Sequence, residues 1–255
     1  MIDSDTSQGS ANTPRRDDFP FYNGHPATVT PLGWGIVMLA VAAGFAILTA
    51  PIPVMLNTAG GFLRAILFVV VPIAALGMVS SGHWRALFRK LRVRDFLMMA
   101  GFAILNLIVS GVVGFVIGKF LGADANLAVE GLATSSSSDN VVFFARTFIQ
   151  LIGEEVITIL PFLAVMYLGF SKFKLSRRNA IIAAYLVSTV IFGLVHLPSY
   201  NWNLIQCLVV IGTARLVLTI PYMITKNLWV SAGAHILNDW LIFGIAIAGA
   251  ARAGG

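Results

Sequence analysis

Charge is scarce in this sequence. Charged residues make up 11% of its 255 residues, whereas soluble globular proteins carry about 25%. Hydrophobic residues make up 58%, and the mean hydropathy is +0.86. This composition excludes an ordinary soluble domain and indicates a membrane protein.

Several common functional signatures are also missing. The one cysteine, Cys207, cannot form an internal disulfide, and its apolar surroundings predict core packing. There is no Gly-rich phosphate loop, CxxC pair or HExxH helix. The net charge of +6 does not indicate nucleic-acid binding, because the basic residues cluster in loops between apolar runs.

Long apolar runs are abundant. A helix needs about 20 apolar residues to span a bilayer, and seven runs meet this requirement. They cover residues 31–51, 62–80, 96–118, 141–168, 180–198, 203–224 and 228–249. We therefore predict an all-α fold, a polytopic transmembrane helix bundle of about seven spans, with six to eight as the range.

Composition divides the chain into three parts. Residues 1–28 are polar and charged, and we expect them to form a flexible N-terminal tail. Residues 29–140 hold the N-terminal transmembrane helices, and residues 141–250 form the remaining core. Lys and Arg concentrate in loops 81–95 and 170–179, so the positive-inside rule places these loops and the N-terminus in the cytoplasm.

Two adjacent glutamates, Glu154 and Glu155, interrupt the fourth apolar run. The chain has one other glutamate, Glu130. An acid inside the bilayer costs roughly 3 kcal/mol on insertion scales, so such residues usually serve a function. The two side chains are about 100° apart around a helix axis. We expect one to face a site and the other to support it from a neighbouring direction.

The other ionisable residues of the spans fall on the fifth, sixth and seventh runs. His196 ends the fifth run, and Arg215 lies in the sixth. In the seventh, His235, Asn238 and Asp239 share one helix face. Singly, such residues can join helices, and an arginine can reach the interface or neutralise a glutamate. Together, two Glu, two His and an Asx residue on three helices are difficult to explain by packing.

This set of side chains is suited to activating water for attack on an amide. A desolvated glutamate can act as a general base, and a histidine can share the water proton. A second histidine and an asparagine can donate hydrogen bonds to an oxyanion. Glu154, His196 and His235 would also make an acceptable zinc site with an open position for water. The residues alone leave both chemistries open.

Three motifs on successive spans resemble the CPBP family, also called the Abi or CAAX-protease-like family, which includes the type II CAAX prenyl endopeptidases. The family pattern is EExxxR, FxxxH and HxxxN or HxxxD. The corresponding segments here are Glu154–Glu155, Phe192–His196 and His235–Asp239. The resemblance covers about residues 141–245 and identifies residues 141–250 as a CPBP/Abi-like catalytic core.

The resemblance implies an intramembrane endopeptidase with a non-metal glutamate mechanism. Glu154 and His196 would activate water, His235 and an Asx residue would stabilise the oxyanion, and Glu155 would be a supporting acid. We expect no cofactor, with zinc left open. The expected partners are the lipid bilayer and a peptide or protein substrate in or at the membrane. We expect a multi-pass protein of the bacterial inner membrane, and the oligomeric state stays open.

Two positions differ from the residues that would best suit this mechanism. Ile159 stands where the pattern has arginine, so Glu155 needs another partner, either Arg215 or a proton. The Asx position is Asp239, and an ionised carboxylate repels an oxyanion, so Asn238 beside it is the alternative donor. Both departures weaken the case for prenyl-CAAX specificity.

Three other functions remain open. The missing arginine favours a non-catalytic binding or immunity protein on the same fold. A proton-coupled transporter would also use buried Glu and His, but neither a repeat nor paired broken helices are visible. A zinc-dependent variant of the protease would use Glu154, His196 and His235.

Overall fold

The computed structural model describes residues 18–130, 132 and 135–253. These residues form helices and connecting turns, with no strand among them. The α-helices are, in chain order, α1 (Pro31–Thr49), α2 (Thr58–Val79), α3 (Val93–Leu121), α4 (Leu127–Glu130), α5 (Ser137–Tyr167), α6 (Arg177–Val195), α7 (Gly212–Thr225) and α8 (Leu228–Ala253). The predicted all-α fold is confirmed.

Seven helical segments in the described part of the chain are long and apolar enough to cross a membrane, as predicted. Their bounds are Pro31–Thr49, Thr58–Val79, Val93–Leu121, Ser137–Lys172, Arg177–Val195, Gln206–Thr225 and Leu228–Gly249. The fourth and sixth include the π-helical turns that extend α5 and precede α7. These segments support a multi-pass membrane protein, because each can satisfy its own backbone hydrogen bonds in lipid.

Helix α5 is surrounded by the other helices. In its span, 83% of the most apolar window is buried, against 11% to 44% in the other six spans. It packs against α2, α6 and α8. An apolar sequence buried on all sides can hold the two adjacent glutamates away from lipid, so the fold places them inside the bundle.

Two glycines permit close helix packing next to these glutamates. A Cβ at Gly153, which directly precedes the pair, would overlap the ring of Phe68 on α2. A Cβ at Gly193 on α6 would lie 2.7 Å from the backbone oxygen of Cys207. Cys207 is buried, as predicted for core packing. Both contacts fix the helices that carry the candidate site.

Residues 18–28 pack against one end of the bundle. Their aromatic side chains are buried and belong to the hydrophobic core: Phe19, Phe21 and Tyr22. The predicted flexible tail over residues 1–28 is therefore wrong for residues 18–28, because burial of these rings offsets the loss of chain entropy. The first 17 residues lie outside the described part of the chain.

A polar network also holds this segment. The Asp18 carboxylate accepts hydrogen bonds from Arg177 Nη2 at 2.6 Å and from the Tyr22 hydroxyl at 2.7 Å. Arg89 Nη2 donates to the Asp18 backbone oxygen at 3.1 Å, and Ser171 Oγ donates to that of Tyr22 at 2.7 Å. Burial raises the pKa of Asp18, but the hydrogen bonds from Arg177 and Tyr22 outweigh it and bring the pKa below its usual value.

Candidate active site

Glu155 forms a buried ion pair with Arg215 of α7. Arg215 Nη1 donates to Glu155 Oε1 at 2.5 Å, and Nη2 donates to Oε2 at 3.2 Å. Neither side chain has exposed surface. Arg215 Nε donates to Thr219 Oγ1 at 2.9 Å, which fixes the guanidinium further. Arg215 therefore supplies the partner that Ile159 cannot, and it does not extend to the membrane surface.

Glu154 points towards both histidines. Its Oε2 lies 3.7 Å from His196 Nε2 and 3.9 Å from His235 Nε2. Gln150 Nε2, one turn earlier on α5, donates to Oε1 at 3.1 Å. The Glu154 side chain is 12% exposed, whereas that of Glu155 is completely buried. The two adjacent carboxylates thus point in different directions, Glu154 towards the histidine Nε2 atoms and Glu155 towards Arg215.

Each histidine uses Nδ1 to contact a fixed oxygen. His196 Nδ1 lies 2.7 Å from the Phe192 carbonyl oxygen, and His235 Nδ1 lies 3.0 Å from Glu155 Oε1. A carbonyl oxygen and an arginine-bound carboxylate only accept hydrogen bonds, so we assign a proton to Nδ1 in both rings. Both Nε2 atoms are then directed at Glu154, at distances beyond a direct hydrogen bond.

Asn238 and Asp239 interact with each other. Asn238 Nδ2 donates to Asp239 Oδ1 at 2.9 Å, and Asn106 Nδ2 of α3 donates to Asn238 Oδ1 at 3.1 Å. An ionised Asp239 can only accept, so it fixes the orientation of the Asn238 amide. Asp239 Oδ2 lies 3.7 Å from His235 Nε2. Both Asx residues therefore adjoin the histidine, with different chemical capacities.

A cavity of about 320 Å³ adjoins these groups. Its polar lining includes His196, His235, Asn238 and Asp239, and its apolar walls come largely from α3, α7 and α8. Glu154 does not line the cavity; its carboxylate faces the two histidines that do. The cavity therefore leaves open space beside these polar groups.

Sequence reasoning did not identify every polar residue of this cavity. Tyr200 lines it, and its hydroxyl accepts a hydrogen bond from Asn126 Nδ2 at 3.0 Å. Burial raises the pKa of Tyr200 to about 12, so the phenol keeps its proton at neutral pH. Tyr200 follows His196 by four residues, a spacing that could have identified it. Asn106 and Asn126 carry no comparable signal.

Glu154, His196 and His235 are the three residues that a zinc site would use. Glu154 faces His196 and His235, as a three-ligand site would require. Within the described ranges, however, no group of three or more His, Cys, Asp or Glu side chains has an arrangement that could hold a metal ion. In this arrangement the three side chains do not form a zinc site.

Comparison with protein families identifies the segment that carries the site. Residues 136–241 match the family model described as type II CAAX prenyl endopeptidase Rce1-like. The resemblance to CAAX proteases is confirmed. The matched segment contains the adjacent glutamates, the two histidines of the spans and the Asx pair. Searches of the curated proteins and of the solved structures give no match to the chain.

Proposed function

We propose that this chain is an intramembrane endopeptidase in which Glu154 activates the attacking water. The observation that supports this most is the direction of the Glu154 carboxylate, which faces His196 Nε2 and His235 Nε2 within a span of the Rce1-like segment. A polar contact longer than 3.5 Å can be bridged by a water molecule. A water there would find acceptors for both protons, the carboxylate and the His196 ring.

The first step is attack of the water oxygen on the carbonyl carbon of the scissile peptide bond. One water proton passes to Glu154, while His196 Nε2 accepts a hydrogen bond from the remaining hydroxyl. The carbonyl oxygen becomes an oxyanion. Doubly protonated His235 and the Asn238 amide donate hydrogen bonds to it.

The second step is collapse of the tetrahedral intermediate. The C–N bond breaks as Glu154 transfers its proton to the leaving nitrogen, which departs as an amine. The other product is a carboxylic acid, whose proton passes to the histidine–glutamate pair and then to solvent. Glu154 thus acts first as a base and then as an acid.

Two acids support His235 in this mechanism. Glu155, whose charge is neutralised by Arg215, accepts a hydrogen bond from His235 Nδ1 and so sets the orientation of the ring. Asp239 Oδ2 lies 3.7 Å from Nε2, close enough for an ionised Asp239 to pair with a doubly protonated ring. Asp239 also orients the Asn238 amide and need not touch the oxyanion itself. The departure from asparagine at position 239 is compatible with hydrolysis in this arrangement.

The test is cleavage of a peptide library, including prenylated C-terminal peptides, by purified protein in detergent. We compare the wild type with Glu154→Gln and with a matched control, Asp139→Asn. The control also replaces a carboxylate by its amide, but at an exposed position in the first turn of α5. Activity is expected to fall by roughly a thousandfold in Glu154→Gln, in line with loss of water activation. It is expected to persist in Asp139→Asn. Equal activity of the two variants would contradict the proposal.

Other outcomes distinguish the alternative functions. If folded wild-type protein cleaves nothing in the library, a binding or immunity protein becomes the preferred reading. Proton flux in liposomes that survives His235→Ala would favour a transporter. About one zinc per chain by metal analysis, lost in His196→Ala, would overturn the metal-free mechanism.

The proposal includes the topology, with the N-terminus and loops 81–95 and 170–179 in the cytoplasm of a bacterial cell. Cysteine labelling tests it, because the single native cysteine can be replaced first, as Cys207→Ser. In that background, Lys174→Cys is expected to resist an impermeant maleimide in intact cells. Ser136→Cys is expected to react. The opposite pattern would reverse the topology.

A further inference from the structure

A second cavity, of about 400 Å³, lies at the end of the bundle where α3 and α8 begin. It is formed by the segment that leads into α3 and by the link between α7 and α8. Its lining includes five cationic side chains: Arg89, Lys90, Arg92, Arg94 and Lys226. This cavity is separate from the candidate active site, and the proposed hydrolysis does not use it.

The carboxylate that lines this cavity is directed at the start of α3. Asp95 Oδ2 accepts a hydrogen bond from the Arg92 backbone nitrogen at 2.7 Å, and Oδ1 lies 3.8 Å from Arg94 Nε. Its side chain is 6% exposed. Lys90, Arg92 and Arg94 outnumber this one carboxylate, which caps the helix, so this wall of the cavity carries net positive charge.

Hydrogen bonds join the two walls of the cavity. The Arg89 backbone nitrogen donates to Asn227 Oδ1 at 3.0 Å, and Asn227 Nδ2 donates to the Arg89 carbonyl oxygen at 3.2 Å. Asn227 Oδ1 also accepts from the Trp229 backbone nitrogen at 3.2 Å. Asn227 is buried, so these bonds hold the backbone of the two walls in a fixed arrangement.

The surroundings of the cavity have the character of a membrane interface. Val93, Phe96 and Leu97 in the first turns of α3 are 81%, 57% and 72% exposed. Nearby, the rings of Phe88 and Trp229 lie 4.9 Å apart. Aromatic rings collect at the level of lipid headgroups, and exposed apolar side chains on a spanning helix face acyl chains. The cations therefore lie where headgroup phosphates are found.

We propose that this cavity binds the phosphate group of an anionic phospholipid from the adjacent leaflet. Arginine side chains bind phosphate oxygens through paired N–H groups, and positive cavities between transmembrane helices suit acidic headgroups. The acyl chains would lie along the exposed apolar start of α3. Free phosphate shares the headgroup chemistry, but the apolar surface beside the cavity favours the lipid.

Binding of fluorescent phosphatidylglycerol to purified protein in detergent tests this proposal, with fluorescent phosphatidylcholine as the neutral lipid. Wild type is expected to prefer phosphatidylglycerol by roughly tenfold or more at low salt. The double variant Arg92→Glu/Arg94→Glu is expected to lose this preference. Arg85→Glu is the matched control, because Arg85 lies in the same loop, outside the cavity and against Trp84.

Three results would overturn the proposal: equal binding of the two lipids, no effect of the double variant, or the same loss in Arg85→Glu. Inorganic phosphate is the competing ligand in a second arm. Displacement of the lipid by phosphate at equal concentration would replace the lipid site with a free-phosphate site. Thermal unfolding checks each variant, and Lys90→Gln/Arg92→Gln replaces the double variant if that one does not fold.

Discussion

Arg215 and Glu155 depend on each other because neither is in contact with water. Removing one partner of a buried ion pair leaves an uncompensated charge, at a cost of about 3–5 kcal/mol. We expect Arg215→Met to lower the thermal unfolding temperature in detergent strongly. The double variant Glu155→Gln/Arg215→Met should recover much of that loss. Equal unfolding temperatures for Arg215→Met and wild type would contradict the paired assignment.

The ion pair can also be tested by moving its cation from position 215 to position 159, where the family pattern has arginine. Ile159 is buried one helical turn after Glu155, on the same face of α5. We expect Ile159→Arg to restore part of the stability of the Arg215→Met variant, because it returns the cation to the EExxxR position. Ile159→Leu in the same background is the control and should restore nothing.

We expect Tyr200 to contribute to catalysis, although the sequence did not predict a role for it. Tyr200 and His196 line the same cavity, so Tyr200→Phe removes a hydroxyl donor from the proposed substrate site. We expect kcat to fall by roughly tenfold, the equivalent of one hydrogen bond. The pH profile should keep its shape, because a group with a pKa of about 12 does not titrate near neutrality.

The control for Tyr200 is the same change at a tyrosine that does not line the cavity. Tyr185 donates its hydroxyl proton to the Leu216 carbonyl oxygen at 2.5 Å, between α6 and α7. Tyr185→Phe should alter stability more than kcat. If both variants reduce kcat equally, Tyr200 has no special position in the reaction.

At the scale of the helices, Gly193 controls how closely α6 approaches the segment before α7. An alanine there would place Cβ 2.7 Å from the Cys207 backbone oxygen. A backbone oxygen cannot relieve this overlap by rotating, as a flexible side chain could. We expect Gly193→Ala to destabilise the protein by about 1–3 kcal/mol and to reduce activity through displacement of Phe192 and His196. Thermal unfolding and peptide cleavage measure the two effects.

Gly101 provides the matched substitution in α3. A Cβ at this position would meet nothing within 4 Å, so Gly101→Ala should be neutral or slightly stabilising, because alanine favours helix. A loss of stability as large as that of Gly193→Ala would show that the steric argument is wrong.

The helices themselves were predictable because each apolar run is long enough to span a bilayer. The partner of Glu155 could not be predicted with certainty, because Arg215 is 60 residues away and on another helix. Local spacing left either Arg215 or a proton as the partner of Glu155, and the buried ion pair between α5 and α7 shows that it is Arg215. The Asn106–Asn238 bond joins α3 to α8 across 132 residues and has no local signal at all.

At the scale of the whole molecule, the segment before α1 closes one end of the bundle. Polar composition over residues 1–28 predicted flexibility, and it concealed three aromatic residues within four positions, Phe19, Phe21 and Tyr22. Average composition cannot detect a short buried cluster of this kind. The rings reach the core because Asp18 is held by Arg177 of α6.

This attachment predicts a pH dependence of stability. The folded pKa of Asp18 lies below its unfolded value, so its contribution is complete above about pH 4 and is lost as the pH falls through the folded pKa. We expect Asp18→Asn to lower the unfolding temperature at pH 7, and the difference from wild type to shrink at pH 3. A difference that grows on acidification would contradict this assignment.

Arg177→Gln should reproduce the effect of Asp18→Asn, and the double variant should add little to either one. Arg178→Gln is the matched control, since Arg178 is the exposed neighbour of Arg177 on α6. If Arg178→Gln destabilises as much as Arg177→Gln, the loss reflects general surface charge and not the attachment of the N-terminal segment.

The location of Arg215 on α7 has a consequence for how the protein is made. Glu155 leaves the ribosome 60 residues before its counter-ion, a delay of several seconds at roughly 5–20 residues per second. During that interval α5 carries an acid that the bilayer disfavours. We therefore expect α5 to enter the membrane with Glu155 protonated or to wait beside the translocon until α7 emerges. A nascent chain released before α7 would be a natural substrate for membrane quality control.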